Sequence, residues 1–201
     1  MKRLLAMFLF LAVMTLQSVA QGTSPRLLER EMESRILGCT KKYCIYLPAG
    51  YGDENKNFPV LYLLHGLTDT HTAWRDRGNV ADIATAVFAG GEAQEMVIVM
   101  PDAGTKYDGY FNAGEWRYED FFFQEFIPHI ESTYRIIPDS QHRAIAGLSM
   151  GGGGTTWYAI NHSEMFSSAY AMSALMGLVE NSWITRDPDA RRRAFMESAV
   201  A

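Results

Sequence analysis

Two continuous apolar runs, Val60–Leu64 and Met96–Met100, interrupt an otherwise mixed pattern. Each has the length of a strand and no polar face, which predicts central strands covered on both sides. Around them the pattern changes period. Lys42–Leu47 alternates and is rich in β-formers, and Glu29–Gly38 before it is polar and reads as the start of a strand. Asn79–Ala89 has helical spacing, with Val80, Ile83, Ala84 and Val87 on one face. Phe121–Tyr134 has the same spacing, with Phe122, Phe126, Ile127 and Ile130 facing inward. A short strand follows at Arg143–Ala146, then a helix over Gly152–Ile160 that opens on small residues, then an apolar strand at Phe166–Met172. Strands therefore alternate with helices from about residue 58 onward, which predicts a mostly parallel sheet with helices on both faces. Internal repeats and low-complexity linkers are absent.

Ligands of such sheets bind beyond the carboxyl ends of the strands. Three features fall there: His65-Gly66-Leu67, Asp102-Ala103-Gly104 and Ser149. They are expected to line one cleft. Ser149 sits in Gly147-Leu148-Ser149-Met150-Gly151, a G-x-S-x-G between a strand and a helix. A sharp turn there exposes the serine Oγ and aims the following N–H at a developing oxyanion. A serine hydroxyl is a weak nucleophile until a base takes its proton. The plainer reading is a serine that only caps the following helix. As a nucleophile, Ser149 needs two oxyanion donors. Met150 N–H is the first candidate, and the loop after Leu64 places Leu67 N–H as the second.

The N-terminus forms a separate unit. Lys2 and Arg3 precede an apolar stretch, Leu4–Val13, and Ser18-Val19-Ala20 supplies small residues. Residues 1–20 are read as a cleaved secretory signal, and residues 21–201 as one domain. The alternative, a membrane anchor, needs a longer apolar span. Cleavage removes two basic and no acidic residues, which moves the formal net charge from −5 to −7. That balance argues against nucleic acid as a partner, and no stable membrane association is expected after cleavage. Cys39 and Cys44 flank Thr40–Tyr43, read as a polar turn, and are either a small cross-strand disulfide or two free thiols on a hairpin. No CxxC pair or His-rich spacing supports a metal site, and no cofactor is implied.

Taken together, Tyr46-Leu47-Pro48-Ala49-Gly50-Tyr51, Leu63-Leu64-His65-Gly66 followed by Trp74, Met100-Pro101-Asp102 and Gly147-Leu148-Ser149-Met150-Gly151-Gly152 resemble the esterase D family of α/β-hydrolases. That group includes feruloyl and acetyl-xylan esterases, S-formylglutathione hydrolase and mycolyltransferases of the antigen 85 type. The resemblance spans about residues 33 to 176. It implies a three-layer α/β-hydrolase sandwich in which Ser149 is acylated and Leu67 and Met150 form the oxyanion hole. It also implies that Trp74 and the aromatic loop Gly104–Trp116, with Tyr107, Tyr110, Phe111 and Trp116, lie near the acyl pocket. Trp74 and Tyr110 are the substrate-binding candidates. The implied function is exported hydrolysis of feruloyl or acetyl esters of plant cell-wall polysaccharide. The alternatives are an acyltransferase and a non-catalytic carbohydrate-binding remnant.

One departure from the family pattern is serious. The triad of this fold runs Ser, acid, His along the chain, yet the only histidine after Ser149 is His162. It lies thirteen residues along the helix, about 20 Å away at 1.5 Å per residue. His142 lies at the far end of the elbow strand, and His65 more naturally shapes the oxyanion loop. Glu180, Asp187 and Asp189 could supply an acid but have no histidine to orient. Residues 189–201 read as a charged surface helix. The expectation is a fragment whose last strands, base and acid are missing, with an open sheet edge and little activity of its own.

Overall fold

The computed structural model describes residues 24–104 and 109–174. The signal segment, Tyr107, Glu180, Asp187, Asp189 and the helix expected over 189–201 lie outside the described residues.

Six strands form one sheet in the order β1-β2-β4-β3-β7-β8. These are β1 (Arg26–Ser34), β2 (Cys39–Leu47), β3 (Val60–Leu64), β4 (Val97–Pro101), β7 (Arg143–Leu148) and β8 (Ser168–Met172). A small ribbon, β5 (Asn112–Ala113) with β6 (Trp116–Arg117), stands apart. β1 and β2 pair antiparallel, and β2 joins β4 antiparallel. From β4 through β3 and β7 to β8 every pairing is parallel. The helices are α1 (Ala73–Asp76), α2 (Val80–Ala89), α3 (Tyr118–Phe121), α4 (Ile127–Thr133) and α5 (Met150–Asn161). This is the three-layer α/β-hydrolase arrangement that the sequence pattern predicts.

The strand period of two divides the core between the faces. Tyr43, Ile45, Val60, Tyr62, Leu64, Val97, Val99 and Ile145 point one way, onto α3, α4 and α5. Cys44, Tyr46, Leu63, Ile98, Met100 and Ala146 point the other, onto α2. The first layer is aromatic: Tyr62 meets Phe122 edge-on at 5.4 Å, and Phe122 stacks on Tyr158 at 5.0 Å. Such pairs add about 0.5–1.5 kcal/mol each beyond area burial. A π-helical turn, Phe122–Phe126, joins α3 to α4. Pro128 follows directly; it lacks the N–H that a regular helix would need at that position.

Four expectations change. The Cys39–Leu47 run is one strand, and the turn before it falls at residues 35–38. Cys39 and Cys44 are therefore five residues apart on a single strand, about 16 Å at 3.3 Å per residue. Both are free, Cys39 exposed and Cys44 buried, and the cross-strand disulfide is excluded. Ile83 is 56% exposed, because the sheet-facing side of α2 runs through Val80 and Ala84, with Ala81 and Phe88 packed beside them. The Phe166–Met172 strand shortens to Ser168–Met172 and is the last strand of the sheet among the described residues, where Tyr170 is 69% exposed. The helix expected from Phe121 begins three residues earlier, at Tyr118.

Candidate active site

Ser149 stands between β7 and α5 with φ 55° and ψ −111°. That backbone is strained for a residue with a side chain, at a cost of about 1–3 kcal/mol. Close packing on three sides holds it. A Cβ on Gly151 would lie 2.6 Å from the Leu64 carbonyl oxygen, and one on Gly152 would lie 2.8 Å from that of Met172. A Cβ on Gly147 would strike the Gly151 carbonyl. Ser149 N–H donates to Met172 O at 2.9 Å, which ties the elbow to the end of β8. Ser149 itself is half-buried. Its side chain makes no capping hydrogen bond to α5, so the plain capping role is not what holds it there.

Met150 is the first residue of α5, so its N–H has no intrahelical acceptor. The helix N-terminus also favours negative charge at this point. Across from it, a side chain on Gly66 would begin 3.8 Å from Ser149 Cβ. The Gly66-Leu67 loop thus abuts the serine, as an oxyanion loop must. Leu67 is half-buried against the core.

His65 anchors that loop. Ala103 N–H donates to its Nε2 at 3.0 Å, so Nε2 is the unprotonated nitrogen, and Nδ1–H donates to Gly66 O at 2.8 Å. Both nitrogens are committed to backbone, and His65 is not a base for Ser149. His162 is equally unavailable. Its Nε2 lies 2.8 Å from Glu119 Oε1, and its ring stacks on Phe123 at 3.8 Å. His142 pairs with Asp139 at 2.8 Å at the start of β7. Among the described residues, no histidine hydrogen-bonds the Ser149 side chain.

Of the two substrate-binding candidates, Tyr110 turns out to be a brace. Tyr110 is fully buried. Its hydroxyl accepts from His65 N–H at 2.7 Å and donates to His65 O at 3.2 Å, while Tyr158 O–H donates to Tyr110 O. Tyr110 therefore offers no surface to a substrate. Trp74 is half-buried, and its Nε1–H donates to Leu64 O at 3.1 Å, under the end of β3. Trp116 donates to Gly109 O at 2.9 Å and stacks on Tyr118. Within the loop Gly104–Trp116, Tyr110 and Trp116 pack inward for the same reason: an aromatic with one polar atom is cheapest to bury when that atom meets an orphan backbone group.

Asp102 carries a second network, one the sequence signalled only by its place at a strand end. Its carboxylate accepts from Gly104 N–H at 2.8 Å and lies 3.9 Å from Lys41 Nζ. His65 Nε2 lies 3.7 Å from the carboxylate but accepts from Ala103 N–H and donates nothing to Asp102. Burial opposes ionisation of Asp102, but the Lys41 ammonium and the Gly104 N–H outweigh it and hold the carboxyl below its ordinary value. Burial pulls Lys41 below the usual lysine range, and Asp102 offsets only part of this. Lys41 lies over the Trp116 ring at 5.1 Å.

Residues 34–199 match the family described as "Putative esterase". The chain belongs to this esterase family. Its fold is similar to a ferulic acid esterase of known structure, with a TM-score of 0.76 and 46% identity over 80% of this chain and 62% of that one. It is similar also to the ferulic acid esterase of the anaerobic fungus Anaeromyces mucronatus, at TM-score 0.67 and 26% identity over 81% of this chain and 64% of that one. Among curated proteins, an endo-1,4-beta-xylanase/feruloyl esterase of Xylanibacter ruminicola is 33% identical over 129 residues, 61% of this chain and 18% of that protein. The chain spans less than two thirds of each of these relatives.

Elsewhere in this esterase-family chain, Glu29, Cys44 and His71 bring ligand-type atoms within 4.8 Å of one another. Here the Arg75 guanidinium already supplies the cation. It donates to Glu29 Oε2 at 2.9 Å and lies 4.0 Å from Cys44 Sγ, while His71 Nε2 meets Glu29 Oε1 at 3.1 Å. The group is an ion-paired clasp between β1 and the loop that follows Gly66.

Proposed function

We propose that the protein is an exported serine carboxylic-ester hydrolase that removes feruloyl or acetyl groups from plant polysaccharide or oligosaccharide esters. The observation that carries the reading is the strained Ser149 elbow facing the Gly66-Leu67 loop at the N-terminus of α5. Ser149 Oγ attacks the ester carbonyl, and its proton passes to a base outside the described residues. The carbonyl oxygen becomes an oxyanion held by Leu67 and Met150 N–H, and the alcohol leaves with a proton. Water then cleaves the acyl-serine and regenerates Ser149. A metal ion or organic cofactor has no part in these steps. The feruloyl preference is supported by the names of the relatives, and export by the basic and apolar start of the chain.

The test is turnover of methyl ferulate and of an acetylated xylo-oligosaccharide by the protein as its whole gene encodes it, with any residues that follow Ala201. Ser149→Ala is expected to lower kcat by about 10⁴-fold or more, since removal of the nucleophile leaves only binding and the oxyanion hole. Equal turnover by the variant would defeat the reading. Transfer of the acyl group to an added sugar acceptor in preference to water would favour the acyltransferase instead.

A further inference from the structure

Beside the oxyanion loop lies an open cleft of about 290 Å³, lined by Thr68, Asp69, Thr70, Thr72, Asp76 and Arg77. Hydroxyls, carboxylates and a guanidinium make up this lining, with Ala73 as its one apolar side chain. An aromatic acyl group has little apolar surface to bury against there. A polyhydroxylated alcohol has both donors and acceptors to meet.

The position of the cleft relates it to the chemistry. The point where a Gly66 side chain would begin is 3.6 Å from Asp69 Oδ2 and 3.8 Å from Ser149 Cβ. Gly66 thus stands between Asp69 at the cleft rim and Ser149. The turn that builds the rim is strained: Thr68 has φ 68°, and Asp69 N–H closes the turn on Gly66 O at 3.2 Å. A threonine in left-handed backbone beside a nucleophile costs stability that a plain connecting loop would have no reason to spend. The Asp69 side chain is 18% exposed and is paired with Arg77, which is 67% exposed and able to swing toward a ligand. A half-buried acceptor paired with an exposed planar donor suits adjacent hydroxyls of a sugar ring, each of which gives and accepts a hydrogen bond.

We propose that the Thr68–Arg77 cleft binds the sugar half of the ester, with Asp69 and Arg77 gripping adjacent hydroxyls, and so selects the alcohol that leaves Ser149. This rests on Ser149 being the acylated residue. Two measurements on the full-length protein separate the two ideas. In the first, the Ser149→Ala protein is titrated by calorimetry with an arabinose-substituted xylo-oligosaccharide that carries no acyl group. Adding Asp69→Asn or Arg77→Ala is expected to raise Kd about tenfold, the loss of one charge-assisted hydrogen bond. In the second, kcat/KM for the feruloylated form of that oligosaccharide is divided by kcat/KM for methyl ferulate. Each variant should lower this ratio about tenfold. Arg77 is exposed, so Arg77→Ala keeps the test valid if Asp69→Asn folds poorly. Unchanged Kd and unchanged ratio in Arg77→Ala would overturn the proposal, as would the absence of oligosaccharide binding by the parent. A protein that cleaves neither ester defeats the esterase reading alone; the titration still decides the cleft.

Discussion

His65 and Tyr110 show how polar residues behind the elbow loop can spend their polar atoms on the backbone. Each spends its polar atoms on backbone groups that the oxyanion loop would otherwise leave orphaned in the interior. The same logic explains Trp74 under Leu64 O. Cys44 is the residue-scale case with a direct test. It is fully buried, and burial pushes its thiol up to about 11 despite the nearby Arg75. Cys39 is exposed. The native protein at pH 8 is expected to react with one equivalent of an aromatic disulfide reagent, and with the second only after unfolding in urea. Two equivalents without denaturant, or none in either state, would contradict the thiol placement.

At the scale of elements, α5 breaks the ordinary rule for glycine in helices. A Gly→Ala change inside a helix normally stabilises by up to about 1 kcal/mol. In α5 the glycines are contact surfaces. A Cβ on Gly154 would lie 2.9 Å from Tyr110 Cβ and 3.0 Å from the Tyr110 ring, which is itself pinned to His65. Gly154→Ala should therefore destabilise, by about 1–3 kcal/mol, read as a lower urea midpoint with an unchanged slope. A rise in midpoint would mean that α5 lies farther from Tyr110 than the structure has it. The packing that forbids side chains here also brings α5 close enough to β3 and β8 to hold Ser149 in its strained conformation.

At the scale of the whole molecule, the Lys41–Asp102 pair joins the β2–β4 side of the sheet to the loop behind His65. The Asp102 carboxyl sits below its ordinary value of 3.8 in the folded state. A group held below its free value contributes stability above about pH 4, and that contribution is lost as pH falls below 3.8. It amounts to about 1 kcal/mol. Asp102→Asn is expected to lower the unfolding free energy at pH 7 by about that much, and to flatten its decline between about pH 5 and pH 2. A variant whose stability falls with acid as steeply as the parent's would show that Asp102 is not held by this network. The opposite edge of the sheet is plainer. Among the described residues β8 pairs only with β7, and its outer side presents Tyr170.

The sequence by itself determined the elements and the elbow. Val60–Leu64 was legible to the residue, because a strand buried on both faces leaves no polar position to blur its ends. Ser149, Met150 and the Gly66-Leu67 loop were legible because close backbone approach demands glycine at fixed offsets. Local spacing could not say which way a side chain turns once two segments meet. Tyr110 reads as a pocket aromatic, and only tertiary packing gave its hydroxyl to His65 and buried its ring. Cys39 and Cys44 read as turn-flanking, because a hairpin of charged and polar residues looks the same whether its turn lies before or after the cysteines. The polar cleft at Thr68–Arg77 and the Lys41–Asp102 pair join residues far apart in sequence or bent by one strained turn, and their energies exist only once the sheet has brought them together.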